Sequence, residues 1–100
     1  MNEENFGAYI RRRREVMTLP LRKVAAYLNI DTSTLSKIER SERLASSGYL
    51  KPLSEILEID YKVIQVRFIA DRIERDFGNM KYLADGLKEV EKQIKKKKLI

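Results

Sequence analysis

Residues 19–41 read LPLRKVAAYLNIDTSTLSKIERS, and this stretch decides the fold. Pro20 suits the first turn of a helix, where its missing N–H is not needed. Leu21, Val24, Ala25 and Leu28 recur at spacings of three and four, which predicts a helix from about Pro20 to Leu28. Leu28-Asn29-Ile30 must then turn, and Asn accepts the left-handed conformation better than most residues. Asp31 is placed to cap a second helix, its carboxylate accepting from the N–H of Ser33 or Thr34. Ile30 and Leu35 stand on either side of that cap, where two apolar side chains can staple the entry to a helix. The second helix ends near Ser41, with Leu35 and Ile38 inward and Thr32, Ser33, Ser36, Lys37 and Arg40 outward.

Two readings fit that outward face. Ser and Thr near a helix start serve capping chemistry. They are also mediocre helix formers, and a merely solvated helix would sooner use Glu, Lys, Gln and Ala. Short hydroxyls followed by a lysine one turn later suit close approach to a groove, where hydroxyls meet base edges or phosphates and lysine reaches guanine. The preceding helix adds weight to the second reading. A short apolar-faced helix, a tight turn and a polar-faced helix, with small Ala25 where the two would cross, make the pattern of a helix-turn-helix.

Outward from this centre the chain stays helical. Phe6, Ile10, Arg14 and Met17 share one face of a helix expected over about Glu4 to Val16. Leu50, Leu53, Ile56 and Leu57 mark another over about Tyr49 to Leu57, with Pro52 in its first turn. Asp60 is a candidate cap for a longer helix from Tyr61 to Phe77, along which Val66, Ile69, Ile73 and Phe77 form a stripe. Gly78-Asn79 is a break signal. Met80, Leu83, Leu87, Val90 and Ile94 then repeat at 3, 4, 3, 4, the seam of a helix that packs against another. The final KKKKLI is expected to fray. The fold class is all-α.

With these residues in view, the chain resembles the phage-repressor-like XRE family of helix-turn-helix DNA-binding proteins. That family includes lambda-type repressors, Cro proteins and restriction–modification controller proteins. The resemblance covers about residues 5–58 and is carried by FGAYIRRRRE, LRKVAAYLNID, STLSKIERSER and LKPLSEILEI. It implies a five-helix lambda-repressor-like domain, here with one extra C-terminal helix. It implies that Thr32, Ser33 and Lys37 read bases. Phosphate-facing positions fall on Leu21, through its backbone N–H, and on Arg22, Thr34, Arg40 and Arg43. It also implies a buried ion pair between Arg14 and Glu39. Some positions depart from the family pattern. Pro20 replaces a capping hydroxyl, Ser41 stands where Gly often ends the recognition helix, and Glu42 lies near the phosphate-facing surface. The loop Leu44–Gly48 is longer than the shortest versions.

Composition sets bounds on function. The 100 residues hold 21 Lys+Arg and 15 Asp+Glu, a net charge of +6 that favours an anionic partner. The surplus lies mostly in residues 59–100, where Lys95–Lys98 supply it, so local placement matters more than the total. These lysines either attract phosphate without sequence preference or only keep the end soluble. Cysteine and histidine are absent, which excludes disulfides, thiolate zinc sites and Cys or His catalysis. Glu39 has no partner base. No catalytic residue, metal site or cofactor is therefore expected, and the chain does not read as an enzyme. There is no membrane-length apolar run or signal-peptide pattern, and Leu99-Ile100 are too few to anchor a chain. A soluble cytoplasmic protein is expected.

Consecutive residues Arg11 to Arg14 point in different directions around a helix and cannot form one patch. Arg14 is expected in its pair, the other three mostly in solvent. The five tyrosines are expected in core or partly buried contacts. Two units are expected: residues 1–58 as the DNA-binding domain and 59–98 as a helical pair. That pair either folds back on its own domain or forms a dimer interface through Ile69, Ile73, Phe77, Leu83, Leu87, Val90 and Ile94. Dimerisation has the clearer purpose, because one short helix-turn-helix gives limited specificity and two can span one DNA turn. The expected function is a sequence-specific transcriptional regulator, a repressor, acting on double-stranded DNA as a homodimer at a near-palindromic operator. The rival reading is a protein-interaction module, such as an antitoxin that binds a toxin through its C-terminal helices.

Overall fold

A computed structural model describes residues 4–98. Leu99 and Ile100, expected to fray, lie outside the described residues, but Lys95 to Lys98 continue the last helix. The elements in order are α1 (Phe6–Val16), α2 (Leu21–Leu28), α3 (Thr32–Glu39), a 3-10 turn (Ser47–Tyr49), α4 (Leu50–Ile56), α5 (Tyr61–Phe77) and α6 (Leu83–Lys98). No strand occurs among the described residues, so the fold is all-α.

The start and stop signals explain most boundaries. Asn5 Oδ1 accepts from the Ala8 N–H at 2.8 Å and starts α1. Asp60 accepts from the N–H groups of Lys62 and Val63 and starts α5, as expected of it. Asp31 does not act as expected. The backbone of Asp31 stands at the start of α3, but its carboxylate accepts no capping bond. Met80, read as the head of the last helix, sits in the turn before it, and α6 begins at Leu83.

Four successive helices end in one way. Thr18, Asn29, Ser41 and Glu58 all have positive φ, between 53° and 61°. In each case the next residue's N–H reaches back to a carbonyl five residues earlier: Leu19 to Arg14, Ile30 to Ala25, Glu42 to Lys37 and Ile59 to Ser54. This closure satisfies carbonyls that the helix end leaves open. Glycine is the usual occupant because a Cβ makes the left-handed conformation costly. None of the four is glycine; Asn29 takes this conformation readily, while Thr18, Ser41 and Glu58 hold it against local preference. In three of them the returning residue is apolar and tucks under the helix: Leu19 and Ile30 pack against the core, and Ile59 is buried.

The core lies between α1, α2, α3, α4 and the first half of α5. Ile10, Val24, Leu35, Leu53, Leu57 and Ile64 are fully enclosed. Ala25 is buried where α2 meets α3. α1 approaches α3 so closely at Gly7 that a Cβ there would stand 2.2 Å from the Ile38 carbonyl oxygen. Only glycine allows this crossing.

The arginine run is divided by geometry. Arg14 meets Glu39 in a two-pronged pair at 2.8 and 2.9 Å and donates a third bond to the Leu19 carbonyl at 2.9 Å. Arg13, expected in solvent, is half-buried instead and donates to the carbonyls of Leu57 and Glu58, closing the end of α4. Arg11 pairs with Glu15 and Arg12 with Glu4, both with exposed guanidinium groups. Three of the five tyrosines depart from expectation as well. Tyr9 is buried and Tyr49 half-buried, while Tyr27, Tyr61 and Tyr82 are exposed.

α5 carries two apolar faces. Ile64 and Phe68 turn inward, Phe68 meeting Phe6 edge-on at 5.4 Å. Asp71 accepts from the Phe6 N–H, and Arg72 donates to the Ala45 carbonyl, so the middle of α5 fastens both α1 and the loop after α3. The other face, with Val66, Ile69 and Phe77, is open. α6 leaves the core, and Leu87, Val90 and Ile94 along it are exposed.

Two stability measurements follow from this packing. Glu39→Ala strands a nearly buried guanidinium and is expected to lower unfolding free energy by about 3 kcal/mol. Arg14→Met combined with Glu39→Met should recover much of that loss in chemical denaturation. Thr18→Gly relieves a β-branched residue from positive φ and is expected to raise stability by about 1 kcal/mol. Thermal melting would show this as a shift of about 4–8 °C upward.

Candidate nucleic-acid interface

α3 presents its polar face because its apolar residues are consumed by the core. Leu35 and Ile38 are buried, and Glu39 is held by Arg14. Thr32, Ser33 and Lys37 are exposed on the opposite side. Helical spacing puts Ser33 and Lys37 one above the other, with Thr32, Ser36 and Arg40 in the adjacent row. The structure thus brings the three residues expected to read bases onto one open surface. Thr34 is half-buried at the margin of that surface.

The start of α2 offers donors beside it. Pro20 gives no side-chain cap, and the first intrahelical bonds to its carbonyl come from Lys23 and Val24. The N–H groups of Leu21 and Arg22 therefore have no acceptor among the described residues. Leu21 is half-buried with its side chain against the core, and Arg22 is exposed. At α3, the idle carboxylate of Asp31 leaves the N–H groups of Thr32, Ser33 and Thr34 free as well. Two helix N-termini, each with partial positive charge, suit phosphate oxygens.

Arg40 is not a free cation. Its guanidinium bonds both oxygens of Glu42, at 2.9 and 3.1 Å, and also the Ser36 hydroxyl. The left-handed turn at Ser41 makes this possible by folding Glu42 back onto α3, with its N–H on the Lys37 carbonyl. The hydrogen bond from Arg40 holds the Glu42 carboxyl below its ordinary value, and Glu42 in turn raises Arg40. A depressed carboxyl stays charged above its ordinary titration range and is lost only below it. The clamp therefore persists through the ordinary carboxyl titration range and is lost only in more acidic solution. Arg43 is exposed in the next loop and borders a small depression shared with Asp71 and Arg75 of α5.

Sequence reasoning missed this clamp, although Arg40 and Glu42 two residues apart were a visible signal. It also missed Gly7, whose role depends on α3 arriving from more than thirty residues away. The Arg14–Glu39 pair brings together residues 25 apart in sequence.

A family model described as Helix-turn-helix matches residues 10–64. No curated protein and no solved structure matches the chain.

Glu42→Gln releases Arg40 and is expected to strengthen binding to random-sequence duplex at low salt. The slope of log affinity against log salt should steepen by about one. Unchanged affinity and slope would remove Arg40 from the phosphate-facing set.

Proposed function

The chain belongs to the XRE-type helix-turn-helix family, a family of DNA-binding regulators, and from that premise we propose that it is a repressor. On this reading it binds as a homodimer to a near-palindromic operator, with α3 of each copy in the major groove. Thr32, Ser33 and Lys37 read base edges. The N–H groups that open α2, together with Arg22, Thr34, Arg40 and Arg43, hold the phosphates. Residues 1–58 carry this contact, and the helical pair of 59–98 joins the copies through Ile69, Ile73, Phe77, Leu83, Leu87, Val90 and Ile94. Occupying a promoter is enough to repress it, and no further activity is required of the chain.

The observation that supports this reading most directly is the outward face of α3. Its hydroxyls and lysine are exposed next to two helix N-termini with free N–H groups. Phosphate contacts would set the register and base contacts the specificity. The open apolar faces of α5 and α6 support dimerisation, since residues of this kind are normally covered.

Selection of bound duplexes from a random library, with the purified chain at moderate salt, tests the proposal. A two-fold symmetric motif with half-sites about one turn apart is the expected outcome. Lys37→Ala should relax the preferred base at one position per half-site and cost about 1–3 kcal/mol on the best sequence. Equal weakening on selected and random duplexes would remove Lys37 from the reading set. Weak, motif-free, salt-sensitive binding would overturn sequence-specific repression and favour a protein partner for α5 and α6.

A further inference from the structure

The proposed dimer can be formed in more than one way, and α6 carries two features that discriminate between them. The first is the placement of charge. Residues 83–91, LADGLKEVE, hold three carboxylates and one lysine. Residues 92–98, KQIKKKK, hold five lysines and no carboxylate. The helix is acidic at its start and strongly basic at its end. Ion pairs within α6 relieve little of this, since Lys92–Glu89 and Lys95–Glu91 stand at 4.0 and 3.9 Å with all four side chains exposed.

The second feature is the placement of apolar surface. Where α5 and α6 approach, Val66, Ile69, Ile73, Leu83 and Leu87 line an open hollow with Glu74 at its rim. A second apolar hollow, lined by Phe77, Met80, Leu83 and Leu87, reaches Val90, and Ile94, one turn farther along α6, is more than half exposed. The hollows lie along the acidic start of α6, and exposed Ile94 lies in its basic end.

We infer that two copies pack with their α6 helices antiparallel, the basic Ile94 end of each meeting the α5–α6 hollow of the other. This rests on the homodimer reading above and specifies its geometry. A two-fold axis near the middle of α6 makes the contact self-complementary, so each copy gives and receives the same end. Lys92, Lys95 and Lys96 then come to the partner's Glu74 and Asp85. The helix dipoles also oppose, which is their favourable alignment side by side. A parallel arrangement would gather ten lysines at one end. Four helices, α5 and α6 from each copy, would close into one bundle with the apolar stripes inside.

Because the chain has no cysteine, placed thiols report without interference. Leu83→Cys and Ile94→Cys chains are made separately and mixed under mild oxidation, with helicity checked by circular dichroism. The mixture is expected to form a disulfide-linked heterodimer, while Ile94→Cys alone does not link to itself. A ready link between two Ile94→Cys chains overturns the antiparallel arrangement. Sedimentation of the unaltered chain gives a second readout. Its dimer should weaken several-fold as sodium chloride is raised, because opposite charges meet across the antiparallel interface. Strengthening with salt would overturn the arrangement by showing like charges together. A chain that remains monomeric throughout removes the homodimer reading itself, an outcome distinct from a dimer of the other polarity.

Discussion

The pair between Arg14 and Glu39 holds the position of α3, and the outward surface depends on that position. Glu39 is the last residue of α3, where the helix dipole disfavours a carboxylate, and it is nearly buried. It is tolerated there because Arg14 meets both of its oxygens. The same guanidinium bonds the Leu19 carbonyl in the turn between α1 and α2. One side chain thus fixes three elements relative to each other. Gly7 permits the close crossing of α1 and α3, and the ion pair locks the angle. With the inner face of α3 committed in this way, its hydroxyls and lysine have only the outside to face.

The helix endings transmit that arrangement along the chain. Each left-handed residue turns the backbone sharply, and Leu19, Ile30 and Ile59 pin the turn with an apolar contact. Ser41 is the exception. Its returning residue is Glu42, which folds onto Arg40 rather than into the core. The same backbone device that elsewhere serves packing here serves electrostatics, and it places a carboxylate against a cation beside the outward face of α3. On the proposed reading, in which Arg40 holds a phosphate, this internal competitor would temper binding to any duplex.

α5 links the two halves of the molecule because its two faces have different tasks. Ile64, Phe68, Asp71 and Arg72 fasten it to α1 and to the loop after α3. Val66, Ile69 and Phe77 remain open and continue into the exposed stripe of α6. A contact made on that stripe is carried by a rigid helix directly to the domain that holds α3. In the proposed dimer, the distance and angle between the two α3 helices would be set in this way.

Much of this was legible in the sequence because it is local physics. Helix periodicity, the Asp60 cap, the left-handed turn at Asn29 and the apolar stripe of α6 depend on residues within a turn or two of each other. The Arg14–Glu39 pair was legible only through family resemblance, since nothing local to either residue names the other. What escaped was long-range or a choice between competing partners. Arg13 was expected in solvent, but its guanidinium closes a helix more than forty residues away. Asp71 caps the start of α1 across 65 residues, and the need for glycine at position 7 arises only when α3 arrives. Asp31 had the right place for a cap but makes no capping bond. Which segments are helical, and which face of each is apolar, follow from residue spacing along the chain alone. The tertiary structure decided which cations are paired, which face of α5 is buried and which donors are left free, because each depends on what packing brings within hydrogen-bond reach.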